Sequence, residues 1–197
     1  MRTNTNHPKK GSSIKVEPIR NLEDIKAIKQ LLQNKPRDLL LFTIGINNGL
    51  RIGDILKLKV KQVQGLKPGE TLRIREQKTD KDNILLINKA VHRELANYLG
   101  IARLEPDDYL FKSKKGSGPI TVSAANRLVK SWCKAINLRG NYGTHSLRKT
   151  FGYIQRIKYG VGFEVLCKRF NHSSPAVTMR YLGIEDKEVN GILMNEI

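Results

Sequence analysis

The chain has 197 residues, with 36 Lys and Arg against 18 Asp and Glu, giving a formal net charge of +18 with His neutral. One ordinary domain's length, at 39% hydrophobic and 27% charged residues, excludes wholesale disorder, and the longest apolar stretch, Leu39 to Ile46, is far short of a bilayer span. So much positive charge on a folding chain points to a polyanion, nucleic acid first, although ribosomal and membrane-surface proteins share the property.

Residues 1–20 read as a loose basic arm, with Arg2, Lys9, Lys10, Lys15 and Arg20 against the single acid Glu17 and no apolar signal segment. Asn21 reads as an N-cap, followed by Leu22, Ile25, Ile28, Leu31 and Leu32 at helical spacing. Pro36 suits the first turn of a second helix, apolar nearly all round from Leu39 to Ile46 and so central to the core. Gly49 breaks it, and Ile52, Ile55, Leu56 and Leu58 imply a short helix directly after. Beyond a turn at Lys67-Pro68-Gly69, Thr71 to Glu76 alternates as a strand, Leu72 and Ile74 one way, Arg73 and Arg75 the other. Asn83 to Asn88 reads as its hairpin partner across the polar loop Gln77 to Asp82. Helices are expected over about 89–99, 122–137, 146–158, 162–170, 174–182 and 186–195. A short strand Tyr109-Leu110-Phe111 precedes a basic, Gly-rich loop from Lys112 to Pro119. The expected fold class is α+β, mainly helical, with a small antiparallel sheet of about three strands. The arm is followed by one domain over 21–184 and a helical tail over 185–197.

Four places concentrate polar side chains. In Asn48-Gly49-Leu50-Arg51-Ile52-Gly53-Asp54, two glycines bracket an arginine and a carboxylate lies one turn on; a plain joint between helices reads equally well. Lys78 sits at the hairpin tip, where a solvated charge is the ordinary reading. In Thr144-His145-Ser146-Leu147-Arg148, Thr144 is a possible cap, and His145 and Arg148 share a face beside helix-terminal amides, an anion site or simply an exposed helix start. Phe170-Asn171-His172-Ser173-Ser174-Pro175 caps a short helix that carries Tyr181, a half-buried aromatic or a nucleophile.

Taken together these stretches resemble the catalytic domain of the tyrosine recombinases, the phage integrase family. The shared order is Gly-Leu-Arg with a carboxylate three residues on, a hairpin lysine, His-x-x-Arg, His-Ser-Ser, then Tyr nine residues after that histidine, and the resemblance spans about residues 20–190. It implies catalytic Arg51, Lys78, His145, Arg148, His172 and Tyr181, with Asp54 in support and Lys81 sharing the loop of Lys78. It further implies attack by Tyr181 on a DNA phosphate, giving a 3′-phosphotyrosine and a 5′-hydroxyl. The arginines and His172 would then stabilise the phosphorane oxygens, Lys78 protonate the leaving oxygen, and His145 assist Tyr181 or hold the phosphate. No metal, cofactor or ATP is called for, and no acidic cluster suits two Mg²⁺ ions; Cys133 and Cys167 lack metal-type spacing and read as reduced thiols inside a cell.

The expected partner is double-stranded DNA, approached by a homo-oligomer, a tetramer on DNA in the resembled family, in the cytoplasm as a nucleoid-associated or mobile-element protein. Lys57, Lys59, Lys61, Lys112, Lys114 and Lys115 are candidate phosphate contacts, each also readable as solvated surface. Only about 20 residues precede the first helix where most such enzymes carry a DNA-binding domain, so the chain reads either as a short member or as a truncated one, and an accessory DNA-binding protein enters the expectation. Lys149 stands where many relatives have histidine, and Phe170-Asn171 replaces a common Leu-Gly. In the tail, Val189, Ile192, Leu193 and Ile197 recur at helical spacing, to pack on a neighbouring protomer or on the chain's own core. A type IB topoisomerase and a non-catalytic DNA-binding regulator are the competing readings.

Overall fold

The computed structural model describes residues 15–114, 116–184 and 196. Its elements run α1 (Leu22–Leu31), α2 (Pro36–Asn48), α3 (Ile52–Leu56), α4 (Val60–Val63), β1 (Thr71–Arg75), β2 (Asp82–Leu86), α5 (Lys89–Ile101), α6 (Val122–Ala135), α7 (Thr144–Tyr159), α8 (Phe163–Phe170) and α9 (Pro175–Leu182). The arm up to residue 14, Lys115 and the expected helix at 186–195 lie outside the described residues.

The all-round apolar run of α2 makes it the central helix, with Leu40, Leu41 and Phe42 fully buried and α5 and α7 packed against it. It starts on Pro36 and stops on Gly49 at φ +60°, where a Cβ would lie 2.4 Å from the Phe151 ring. Asn48, the last residue of α2, docks the hairpin as a strand would. Its side-chain amide donates to the Leu86 carbonyl at 3.2 Å and its oxygen accepts the Leu86 N–H at 2.8 Å. A second, smaller cluster of Leu166, Phe170, Leu182 and Ile184 joins α8 and α9 to α7.

Gly152 permits that junction, because a methyl group there would come within 2.7 Å of Phe170 and 2.8 Å of Leu182. Gly152→Ala is therefore expected to lower stability by about 1–3 kcal/mol through overpacking, despite its better helix propensity. Urea denaturation checks this: the midpoint should fall with the slope unchanged.

Two expectations are corrected. Among the described residues the sheet has two strands, paired antiparallel with Arg73 opposite Ile84, and Tyr109-Leu110-Phe111 adds no third. Tyr109 forms only a single bridge to Lys59, and Lys112 one to Pro119, a residue with no N–H to extend a ladder. Thr144 does not cap α7 but is its first helical residue. The cap is Gly143, whose N–H donates to Ser146 Oγ at 3.1 Å, while Asn126 on α6 accepts the Thr144 N–H at 3.0 Å.

Candidate active site

The end of α2, the hairpin loop, the start of α7 and the α8–α9 turn converge on Arg51, Arg148, His172 and Tyr181. Arg148 is buried inside this junction. Its guanidinium donates to the carbonyl of Gly49 and, at 2.7 Å, to that of Phe170, and lies 4.6 Å over the Phe170 ring. These contacts hold the ends of α2 and α8 together and fix the direction of the remaining donors. Arg51, the N-cap residue of α3, has its side chain 18% exposed and ion-paired to Glu76, whose own side chain is fully buried.

Glu76 organises the hairpin loop. Its carboxylate accepts from Thr79 Oγ1 at 2.5 Å and Asn83 Nδ2 at 2.8 Å. Its backbone N–H and carbonyl bond Lys81 and Asp80, each at 2.9 Å. Burial opposes the charged form, yet hydrogen bonds from Thr79, Asn83 and Arg51 outweigh it and hold the carboxyl below the usual range. Asp54 accepts the Gln77 N–H at 3.1 Å, and burial raises its pKa against that bond. The carboxylate salt-bridged to Arg51 is thus Glu76, and Asp54 anchors the near end of the loop. Arg75 and Asp80 clasp it from outside with two contacts of 2.5 Å. Lys78 projects exposed from this loop, and its charge helps depress the pKa of His145.

His145 is exposed, one turn before Arg148 on α7. Desolvation, then the charges of Arg148, Lys78, Arg51 and Lys149, lower its pKa. His172 is half-buried, with Nδ1 3.0 Å from Thr178 Oγ1 and its ring 5.0 Å from that of Tyr181. Burial, then Arg148 and Arg51, push its pKa down to about 4. In the unfolded chain a histidine titrates near 6.5, so protonation of the unfolded state removes stability as pH falls through that value towards 4. In the free protein His172 should stay neutral down to about pH 4, and an anion between the arginines should raise that midpoint. NMR titration of its ring resonances, with and without inorganic phosphate, checks both; a free-protein midpoint near 6.5 would contradict this account of the site.

The Tyr181 hydroxyl is buried, and among the described residues only Arg148 is placed to donate to it, without good alignment. Burial raises its pKa and the charges of Arg148 and Arg51 oppose that rise. The ring sits against Phe170 at 5.7 Å, and Lys149 Nζ lies 4.9 Å from its centre. At the turn before this helix, Asn171 takes φ +53°, a left-handed conformation that asparagine tolerates better than most residues, which explains how it replaces a glycine.

The lysines are less gathered. Lys57 is exposed beside the hairpin base, where it lines a pocket with Asp54 and Gln77. Lys59 lies 3.8 Å from Asp107, Lys61 2.5 Å from the same carboxylate, and Lys112 2.6 Å from Asp108. Lys112 and Lys114 line a cavity with Lys35 and Arg37 at the start of α2, the opposite end from Arg51. With 13 residues in α2, that separation is about 20 Å.

Two functional positions escaped the sequence reading. Glu76 had a signal: it shares parity with Leu72 and Ile74, so it is a carboxylate on the inward face of the strand. Arg169 had none. From α8 it donates to the carbonyls of Asn48 and Ile84 (3.0 Å each) and to Asn83 Oδ1 (2.6 Å), locking the hairpin to the end of α2.

The profile of the phage integrase family matches residues 20–188. A probable integrase/recombinase, YoeC of Bacillus subtilis (strain 168), is 43% identical over 174 residues, covering 87% of this chain and 91% of the relative. The tyrosine recombinase XerC of Caldanaerobacter subterraneus subsp. tengcongensis is 28% identical over 160 residues, 79% of this chain but only 43% of XerC, so the chain spans less than half of that longer relative. Among solved structures, the XerH site-specific recombinase in a post-cleavage complex with its palindromic difH substrate shares the fold. Its TM-score is 0.73 at 22% identity, over 92% of this chain and 53% of that one.

Proposed function

Since this chain belongs to the phage integrase family, we propose that it is a site-specific DNA recombinase acting through Tyr181. The observation that carries this reading is the buried Tyr181 hydroxyl set beside Arg148 and in the field of Arg51.

A phosphodiester held by the two guanidiniums develops its additional negative charge on the non-bridging oxygens, and donors fixed beforehand stabilise that charge most. Tyr181 Oη attacks phosphorus, its proton passes to a base, and neutral His145 can accept it. The bond to the 5′ oxygen breaks, that oxygen takes a proton from Lys78, and the 3′ phosphate remains esterified to Tyr181. A 5′-hydroxyl from a second strand reverses these steps, so neither ATP nor an external reductant or oxidant enters the balance. His172, its Nδ1 held by Thr178, presents Nε2 to the same phosphate. Lys57, Lys59, Lys112, Lys114 and Lys115 extend the contact along the duplex backbone. A homo-oligomer on double-stranded DNA, a tetramer in full assembly, brings paired strands together, with tail exchange and an accessory DNA-binding protein as parts of the same proposal.

The test is covalent capture. Protein incubated with fragmented source DNA and denatured in SDS should yield adducts that map to one short sequence and vanish with Tyr181→Phe. Relaxation of arbitrary supercoiled plasmid without strand exchange would favour a topoisomerase, and salt-sensitive binding without adducts would favour a regulator.

A further inference from the structure

We propose that Glu76 is a positioning residue that registers the Lys78 loop against Arg51, so that the leaving-group acid and a phosphate-binding arginine are set by one carboxylate. The inference rests on the recombinase reading above.

The argument is one of connectivity. Lys78 itself is exposed, and a lysine on a free hairpin tip would sample many positions. Here the loop is tied from inside at both ends. Asp54 Oδ1 accepts the Gln77 N–H at 3.1 Å, and Glu76 accepts the Thr79 hydroxyl at 2.5 Å, so the residues flanking Lys78 are both bound to buried carboxylates. The Glu76 carboxylate that holds Thr79 also carries the Arg51 ion pair. Asn83 completes the arrangement, and its orientation is fixed. Its Oδ1 accepts from Arg169 at 2.6 Å and from the Ile84 N–H at 2.9 Å, so only its Nδ2 faces Glu76. A glutamine at position 76 can offer its single oxygen to Asn83 or to Arg51 and Thr79, but not to both sides. Conservative replacement therefore loosens the loop even though shape is retained.

A leaving oxygen needs a proton, whereas a leaving sulfur departs as a thiolate because a thiol's pKa is only about 8.5. Single-turnover cleavage should therefore be measured on the duplex site recovered by covalent capture, made with either oxygen or sulfur at the scissile 5′ bridge. The variants are Glu76→Gln, Thr79→Val and Lys78→Ala. Glu76→Gln is expected to slow oxygen-substrate cleavage by about tenfold or more, and to raise the sulfur-to-oxygen rate ratio by a similar factor over wild type, as Lys78→Ala does. Thr79→Val removes only the hydroxyl tie and leaves the Arg51 pair in place. It should move the ratio the same way, by a smaller factor, even if Glu76→Gln folds poorly. A ratio equal to wild type in both Glu76→Gln and Thr79→Val overturns the inference, since a purely structural or Arg51-only role slows both substrates alike. Wild-type protein that forms no adduct on either substrate overturns the recombinase reading itself, and the inference with it.

Discussion

Tyr181→Phe is expected to eliminate covalent attachment to DNA while making the free protein more stable by about 1 kcal/mol. The two effects come from the same atom. The hydroxyl is buried, and among the described residues it makes no well-aligned hydrogen bond, with only a weak donation from Arg148 beside it. An unsatisfied buried polar group costs about 1–3 kcal/mol of lost hydration, and the nearby guanidiniums recover part of that by favouring the oxygen's negative end. Phenylalanine keeps the ring contacts with Phe170 and His172 and the Lys149 cation above its face, so removing the oxygen removes a cost and little else. Urea titrations of the two proteins and a denaturing gel of their adducts measure both halves. A destabilised Tyr181→Phe would mean that the hydroxyl has a structural partner in solution, and persisting adducts would mean another nucleophile. Stability given up at a reactive group is the usual signature of a site shaped for chemistry.

What the sequence made legible follows from how local each signal is. The central α2 was readable because its apolar run admits no solvent face, and its limits because Pro36 and Gly49 have strong backbone preferences. The Ser174 cap of α9 is equally local, with its Oγ accepting the Val177 N–H at 3.3 Å. The third strand failed for a non-local reason: its apolar triplet has β character, but the backbone offered to it is a helix start at Lys59 and a loop return at Pro119. At the site, the motif spacing selected residues that the fold does bring together, namely Arg51, His145, Arg148, His172 and Tyr181. It gave no hint of how they are held. Arg169 binds groups 86 and 121 positions away, at Asn83 and Asn48, and no short-range pattern encodes such a pairing. Glu76 was readable in principle, since a charge in the inward register of a strand must find buried partners.

Arg148 should be the least replaceable side chain in the molecule, because the N–H groups of its fixed guanidinium are divided between holding the fold and, in the proposed mechanism, facing the phosphate. Arg148→Ala leaves the Gly49 and Phe170 carbonyls without their donor and empties the space over the Phe170 ring. With about 1–3 kcal/mol for each orphaned acceptor and about 1 kcal/mol for the cation over the ring, a loss of about 3–7 kcal/mol is expected. Arg148→Lys is the sharper test. Lysine keeps the charge but concentrates its donors on one nitrogen, which cannot hold two carbonyls and still face a phosphate. Removing one preorganised donor from a developing oxyanion typically slows the chemical step about 10²–10³-fold, and the lysine variant should recover little of that. Duplex binding, which draws on many lysines, should fall far less than single-turnover cleavage measured under conditions where both variants are folded. If Arg148→Lys cleaved within about tenfold of wild type with unchanged urea stability, the directional role assigned to the guanidinium would be wrong and charge alone would be sufficient.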